Sequence, residues 1–218
     1  MNWIAQIDAY CERTDLTYWS EPLNALTNVA FLIAAVLMWR RTDGLPWARA
    51  LCVTLFAIGV GSYLFHTHAT GWAALADTAP IALFILVYLF LVNWHMLGWP
   101  VWAAVLCTLA FLPYAAVVTT ALRDVPFFRI SSFYWTVPIL LLIYAAAFRT
   151  RMPDTVRGFV IGAAVLALSI SMRSLDDTLC PVFPTGTHIF WHILNAVMLG
   201  WMIEVYRRHM VEAPAPRA

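Results

Sequence analysis

The histidines of HIFWH, His188 and His192, stand four residues apart. On a helix they therefore share one face, one turn from each other. That is the spacing by which a single helix offers two imidazoles to one metal ion. A second segment, GVGSYLFHTHATGWAALAD, holds Ser62 and His66 at the same separation and Asp77 eleven residues after that histidine. Two imidazoles from HIFWH and one from His66 make three ligands. Three protein ligands leave tetrahedral zinc an open position for water, the arrangement of a catalytic rather than a closed structural site. His68 lies two residues beyond His66 and points to a different helix face, so His66 is the expected ligand. Each of these residues also has a plainer reading. An HxxxH pair arises by chance, Ser62 can pack between helices, and Asp77 can cap one. His95 and His209 read as hydrogen-bonded residues near a membrane interface, outside the site.

The elements that must position these side chains are set by composition. Of 218 residues, 62% are apolar and 11% charged, against roughly 45–50% and about 25% in an ordinary soluble domain. Stretches such as IALFILVYLFLV have no charged face to turn toward water, so lipid must meet them. Apolar runs near the roughly 20 residues needed to cross a bilayer follow one another, and spans are expected near 22–40, 47–67, 72–93, 99–120, 132–148, 156–173 and 187–206. The fold class is an all-α, seven-span membrane bundle. It forms one domain over residues 1–210, with an external segment at 1–21 and a disordered tail at 211–218. The N-terminus carries no signal-peptide pattern, so the first span is expected to direct insertion. Net charge is +1 and all thirteen basic residues are arginine, which offers no basic surface to nucleic acid.

Arginine placement sets the orientation, because cytoplasmic loops hold the excess of positive charge. Nine arginines (Arg40, Arg41, Arg49, Arg149, Arg151, Arg157, Arg207, Arg208 and Arg217) fall on one side, and Arg13, Arg123, Arg129 and Arg173 on the other. The N-terminus is then outside and the C-terminus cytoplasmic. Ser62, His66, Asp77, His188 and His192 all come to the outer half. Ionisable groups inside spans cost roughly 2.5–3.5 kcal/mol each on insertion scales, so their gathering at one depth argues for a shared task.

GVGSYLFH, the Asp eleven residues on, and HIFWHIL near the end together resemble the alkaline ceramidase family, within a superfamily of seven-span hydrolases that includes progestin and adiponectin receptor-like proteins. YCERTDLTYWSEPLNALTN is similar to that family's N-terminal segment, and LDDTLC to the element before its last span. The resemblance implies a zinc-dependent amidohydrolase, in which zinc-bound water attacks the N-acyl bond of ceramide or a related membrane lipid. His66, His188 and His192 match the zinc ligands, and Ser62 and Asp77 match the residues beside the water. Zinc would bring that water's pKa from 15.7 to about 7. Asp77 can take its proton and pass it to the leaving amine, and Ser62 can hydrogen-bond the water or the developing oxyanion.

The resemblance further implies a calcium site at Tyr10 (through its carbonyl), Glu12, Thr14 and Glu21. Two ligand positions depart from the pattern, with Ala9 and Thr14 standing where the family has an acid and an Asn, although Asp8 and Asp15, one residue away, could supply hard oxygen. An acidic external segment that binds nothing is the other reading. Cys11 and Cys180 fall on the same outer side, where a disulfide can form, and the family has a cysteine at both places. Cys52 and Cys107 read as packing residues. Alanine-rich, lysine-free composition suggests a bacterial protein, hence an inner-membrane location with the site facing the periplasm, and a lipid that need not be ceramide. Two further readings stay open. One is a receptor or sensor with a structural zinc, although the chain has no sizeable soluble domain to pass on a signal. The other is a transporter, for which the expected midplane charges and inverted halves are not seen.

Overall fold

In the computed structural model, which describes residues 3–212, seven long helices follow one another: α1 Pro22–Arg41, α2 Pro46–His68, α3 Gly71–Met96, α4 Val101–Leu122, α5 Ser132–Phe148, α6 Pro153–Ser174 and α7 His188–Glu212. Proline opens α1, α2 and α6, where its missing N–H goes unneeded and its fixed φ already suits a helix. The turns are short. Gly44 at φ +73° helps α1 pass to α2, and Ala69 at φ +46° lets α2 reverse into α3 within two residues.

Six of the described helices are long and apolar enough to cross a membrane. At 17 residues, α5 spans about 26 Å at 1.5 Å per residue, just short of a hydrocarbon core of about 30 Å. It packs against α4 and α6. Outward faces carry Val53, Leu106, Val117 and Val197 at 57%, 59%, 69% and 57% exposure, as expected where lipid is the solvent.

Several helix ends depart from the expected boundaries; α6, for one, opens three residues early, at Pro153. The last turn of α3 continues to Met96 as a π-helical turn over Val92–Met96. Helix α7 runs to Glu212, six residues past the expected end, and there buried Glu204 accepts from Arg41, Arg207 and Arg208, offsetting part of the charge of the terminal turns. The remainder of the expected tail, 213–218, lies outside the described residues.

The segment before α1 is a strap across the opposite end of the bundle. Ile7 donates to the Ala69 carbonyl at 2.7 Å, and Gln6 bridges Thr70 at the α2–α3 turn. A disulfide joins Cys11 to Cys180 in the α6–α7 connection, with Cα atoms 5.6 Å apart.

Candidate metal centre

Under this strap three histidines meet. His66 lies in the last turn of α2, and His188 and His192 in the first two turns of α7. Each is at most 1% exposed. Their ring centroids are separated by 5.1 Å (His66–His188), 4.7 Å (His66–His192) and 4.6 Å (His188–His192). One nitrogen from each ring lies within 4.8 Å of the other two.

Hydrogen bonds on the far side of two rings decide which nitrogen faces inward. The Nδ1–H of His66 donates to Glu21 Oε2 at 2.6 Å. The Thr27 hydroxyl donates to the Leu23 carbonyl at 2.8 Å, and in that arrangement it accepts from His192 Nδ1–H, 2.8 Å away. Both rings therefore hold their proton on Nδ1 and present an Nε2 lone pair. His66 Nε2, His188 Nδ1 and His192 Nε2 are buried with no hydrogen-bond partner among the described residues. Leaving such a group unpaired costs about 1–3 kcal/mol. One nitrogen from each of three such rings, all within 4.8 Å of one another, is the donor set of a divalent transition metal, and the residues fit zinc.

The third ring is fixed from its face. Tyr10 stacks on His188 with centroids 3.7 Å apart. Burial, outweighing the nearby Arg173 charge, pushes the Tyr10 phenol above its ordinary pKa, so it stays neutral. Asp176 holds the backbone here. Its Oδ1 accepts from the Thr187 and His188 N–H groups at 2.6 and 2.8 Å, and its Oδ2 from Cys11 at 2.9 Å. One buried carboxylate thus caps α7 from a distance and ties the strap to it. Gly186, at φ +67°, packs so close to Asp176 that a Cβ would overlap the carboxylate. On α6, the Ser169 hydroxyl donates to the Trp191 carbonyl at 3.0 Å, steadying α7 between its two histidines.

Ser62 and Asp77 adjoin each other beside this cluster, with His66 and the Arg173 guanidinium near the carboxylate. Gly61 makes this possible. A Cβ there would overlap the Ala76 carbonyl, so only glycine lets α2 and α3 approach at this level.

Other candidates lie elsewhere. His68 faces Tyr18 and Trp72, with centroids at 5.3 and 5.1 Å, outside the cluster. His95 meets the Tyr206 hydroxyl and His209 that of Thr155. The residues matched to calcium are engaged differently. Glu12 accepts the Leu23 and Asn24 N–H groups at 2.7 and 2.8 Å, capping α1, and the Tyr10 carbonyl accepts from the Arg13 N–H at 3.1 Å. The Thr14 N–H donates to Ser20 Oγ at 3.0 Å. Glu21 pairs with Arg13 and His66.

Several supporting residues carry no signal in the sequence. Thr27 and Arg173 are of ordinary types, and Glu21 is one acid among several. Arg173 lies over the rings of Tyr10, Tyr134 and Trp191 at 5.9, 5.3 and 5.9 Å.

An apolar cleft begins one turn below the site, at Ile81 below Asp77 and Asn195 below His192, and reaches Val92 and Met202. Along α3 that is about 16 Å at 1.5 Å per residue, roughly half of a hydrocarbon core near 30 Å.

No curated protein matches this chain. Residues 5–215 match the model of one family, Ceramidase. With nearly its whole length covered by that match, the chain belongs to the ceramidase family.

Proposed function

We propose that this protein is a zinc-dependent hydrolase of the N-acyl bond of ceramide or a related lipid amide. The observation that carries the reading is the set of three buried, unpartnered histidine nitrogens at the head of an apolar cleft, in a chain of the ceramidase family. His66, His188 and His192 would hold the ion. When bound there, zinc supplies Lewis acidity that brings water's pKa from 15.7 to about 7.

The protein's own groups do the rest. The cleft takes the acyl chain, its depth matching one leaflet of a bilayer, and so brings the amide to the level of Ser62 and Asp77. The Asp77 carboxylate accepts the proton of the attacking water and returns it to the amine nitrogen as the C–N bond breaks. The Ser62 hydroxyl donates to the oxygen on which negative charge grows. Products are a fatty carboxylate and a free amine.

Contact between His66 and His188 also supports seven crossings. Two residues at one membrane face need an even number of crossings between them, and α3, α4 and α6 alone supply three. With α5 included the count is four, and its 17 residues stand at the lower limit for a span. The arginine excess at the opposite end supports a site facing outside, toward the periplasm of a bacterial inner membrane, and the Cys11–Cys180 disulfide suits that oxidising side.

The test is to incubate the purified full chain with ceramide and a panel of N-acyl amines and esters, with and without a zinc chelator. Release of fatty acid and bound zinc are measured together. His192→Ala is expected to lose both. Unchanged hydrolysis after complete zinc removal would overturn the mechanism, and zinc without hydrolysis across the panel would favour a sensor with a structural ion.

A further inference from the structure

The calcium ligands implied by family resemblance meet a different occupant here. Arg13 and Glu21 have side chains only 2% exposed each. The guanidinium reaches three oxygens on three parts of the fold: Nε donates to Glu21 Oε1, Nη1 to the Asp15 carbonyl at 3.1 Å, and Nη2 to the His66 carbonyl at 3.0 Å. Carboxylate and main-chain oxygens around one positive centre are what a hard cation would collect. A guanidinium suits the task because its planar fork addresses several acceptors at once.

We propose that Arg13 is a built-in cation that replaces a divalent ion, locking the strap onto the metal-ligating end of α2 and positioning His66 through Glu21. Four observations converge on this. Every carboxylate oxygen of Glu12 and Glu21 already accepts a hydrogen bond from the protein. Arg13 balances Glu21, so a calcium ion beside the pair would stand against a guanidinium in a water-poor setting, where repulsion between like charges is weakly screened. Glu21 is shared, its Oε1 bound to Arg13 and its Oε2 to His66 Nδ1, with Asn24 Nδ2 also donating to Oε2 at 3.2 Å. Arg13 holds the backbone carbonyl of the same histidine whose ring Glu21 holds, so position and ring orientation of His66 are set by one ion pair.

The experiment has two arms on the full chain in detergent. In the first, wild-type protein is dialysed against radioactive calcium up to about 1 mM, the weak end of extracellular calcium sites, and melted with calcium or with EGTA. No saturable binding and the same Tm in both are expected; one calcium bound per chain, with EGTA lowering Tm, would overturn the proposal. This arm is independent of the zinc reading. The second arm rests on that reading and measures zinc affinity in Arg13→Gln and Arg13→Lys. Both are expected to lose about 10–100-fold, the range for outer partners of a ligating histidine, because a lysine ammonium lacks the fork. Wild-type zinc affinity in both would also overturn it. If neither variant folds, the calcium arm alone decides.

Discussion

Replacing Thr27 with valine isolates one outer hydrogen bond of the proposed metal centre. Valine keeps the shape of threonine and removes the oxygen that accepts the His192 Nδ1–H at 2.8 Å. With the Thr27 hydroxyl donating to the Leu23 carbonyl at 2.8 Å, the side chain acts on His192 as an acceptor. Its loss leaves a buried N–H unpaired beside a ring that is 0% exposed, at a cost of about 1–3 kcal/mol. The ring can escape that cost by moving its proton to Nε2, the nitrogen that must stay bare to bind metal, and metal binding then opposes the change. Either way the penalty falls on the ligand. At about 1.4 kcal/mol per decade it corresponds to a loss of about 5–150-fold in zinc affinity, which brackets the 10–100-fold typical of outer partners. Competition against a chromogenic chelator reads this directly. Thr27→Ser retains the acceptor and is expected to stay close to wild type. Valine binding zinc as tightly as threonine, or serine losing as much as valine, would refute the tautomer argument.

Other perturbations test the packing that brings the site together. Gly61→Ala drives a Cβ into the Ala76 carbonyl; overpacking of this kind costs about 1–3 kcal/mol, and by separating Ser62 from Asp77 it should lower kcat more than zinc content, as metal analysis beside single-turnover kinetics would show. An unchanged rate in a folded Gly61→Ala protein would remove Asp77 from the mechanism. Val92→Phe fills the inner end of the cleft; each methylene excluded forfeits about 0.8 kcal/mol, about fourfold in kcat/KM, so long acyl chains should lose and short ones should not. Equal loss for all chain lengths would mean that the acyl group binds elsewhere.

How much of this could be read from the sequence depends on the range of the contact. Lipid leaves helices little choice, since every backbone group must be satisfied within the segment, and apolar runs therefore mark α1 to α7 with errors mainly at their ends. Those errors are local: a π-helical turn extends α3, and α7 runs on through Arg207 and Arg208, which pair with Glu204. His188 and His192 declare themselves because one helix supplies both. The groups that orient the rings do not, because Glu21 is 45 residues from His66 and Thr27 is 165 from His192, and no periodicity connects residues on separate helices. Arg13 shows the same limit most sharply. As a letter it counts as one outer positive charge among four, and as an acid's neighbour it falls inside a calcium pattern. Only the fold carries its guanidinium beneath the strap, to Glu21 and the His66 carbonyl. A substitution of one residue type in that segment can therefore change which cation holds the strap while the histidine spacing, and the chemistry read from it, stays the same.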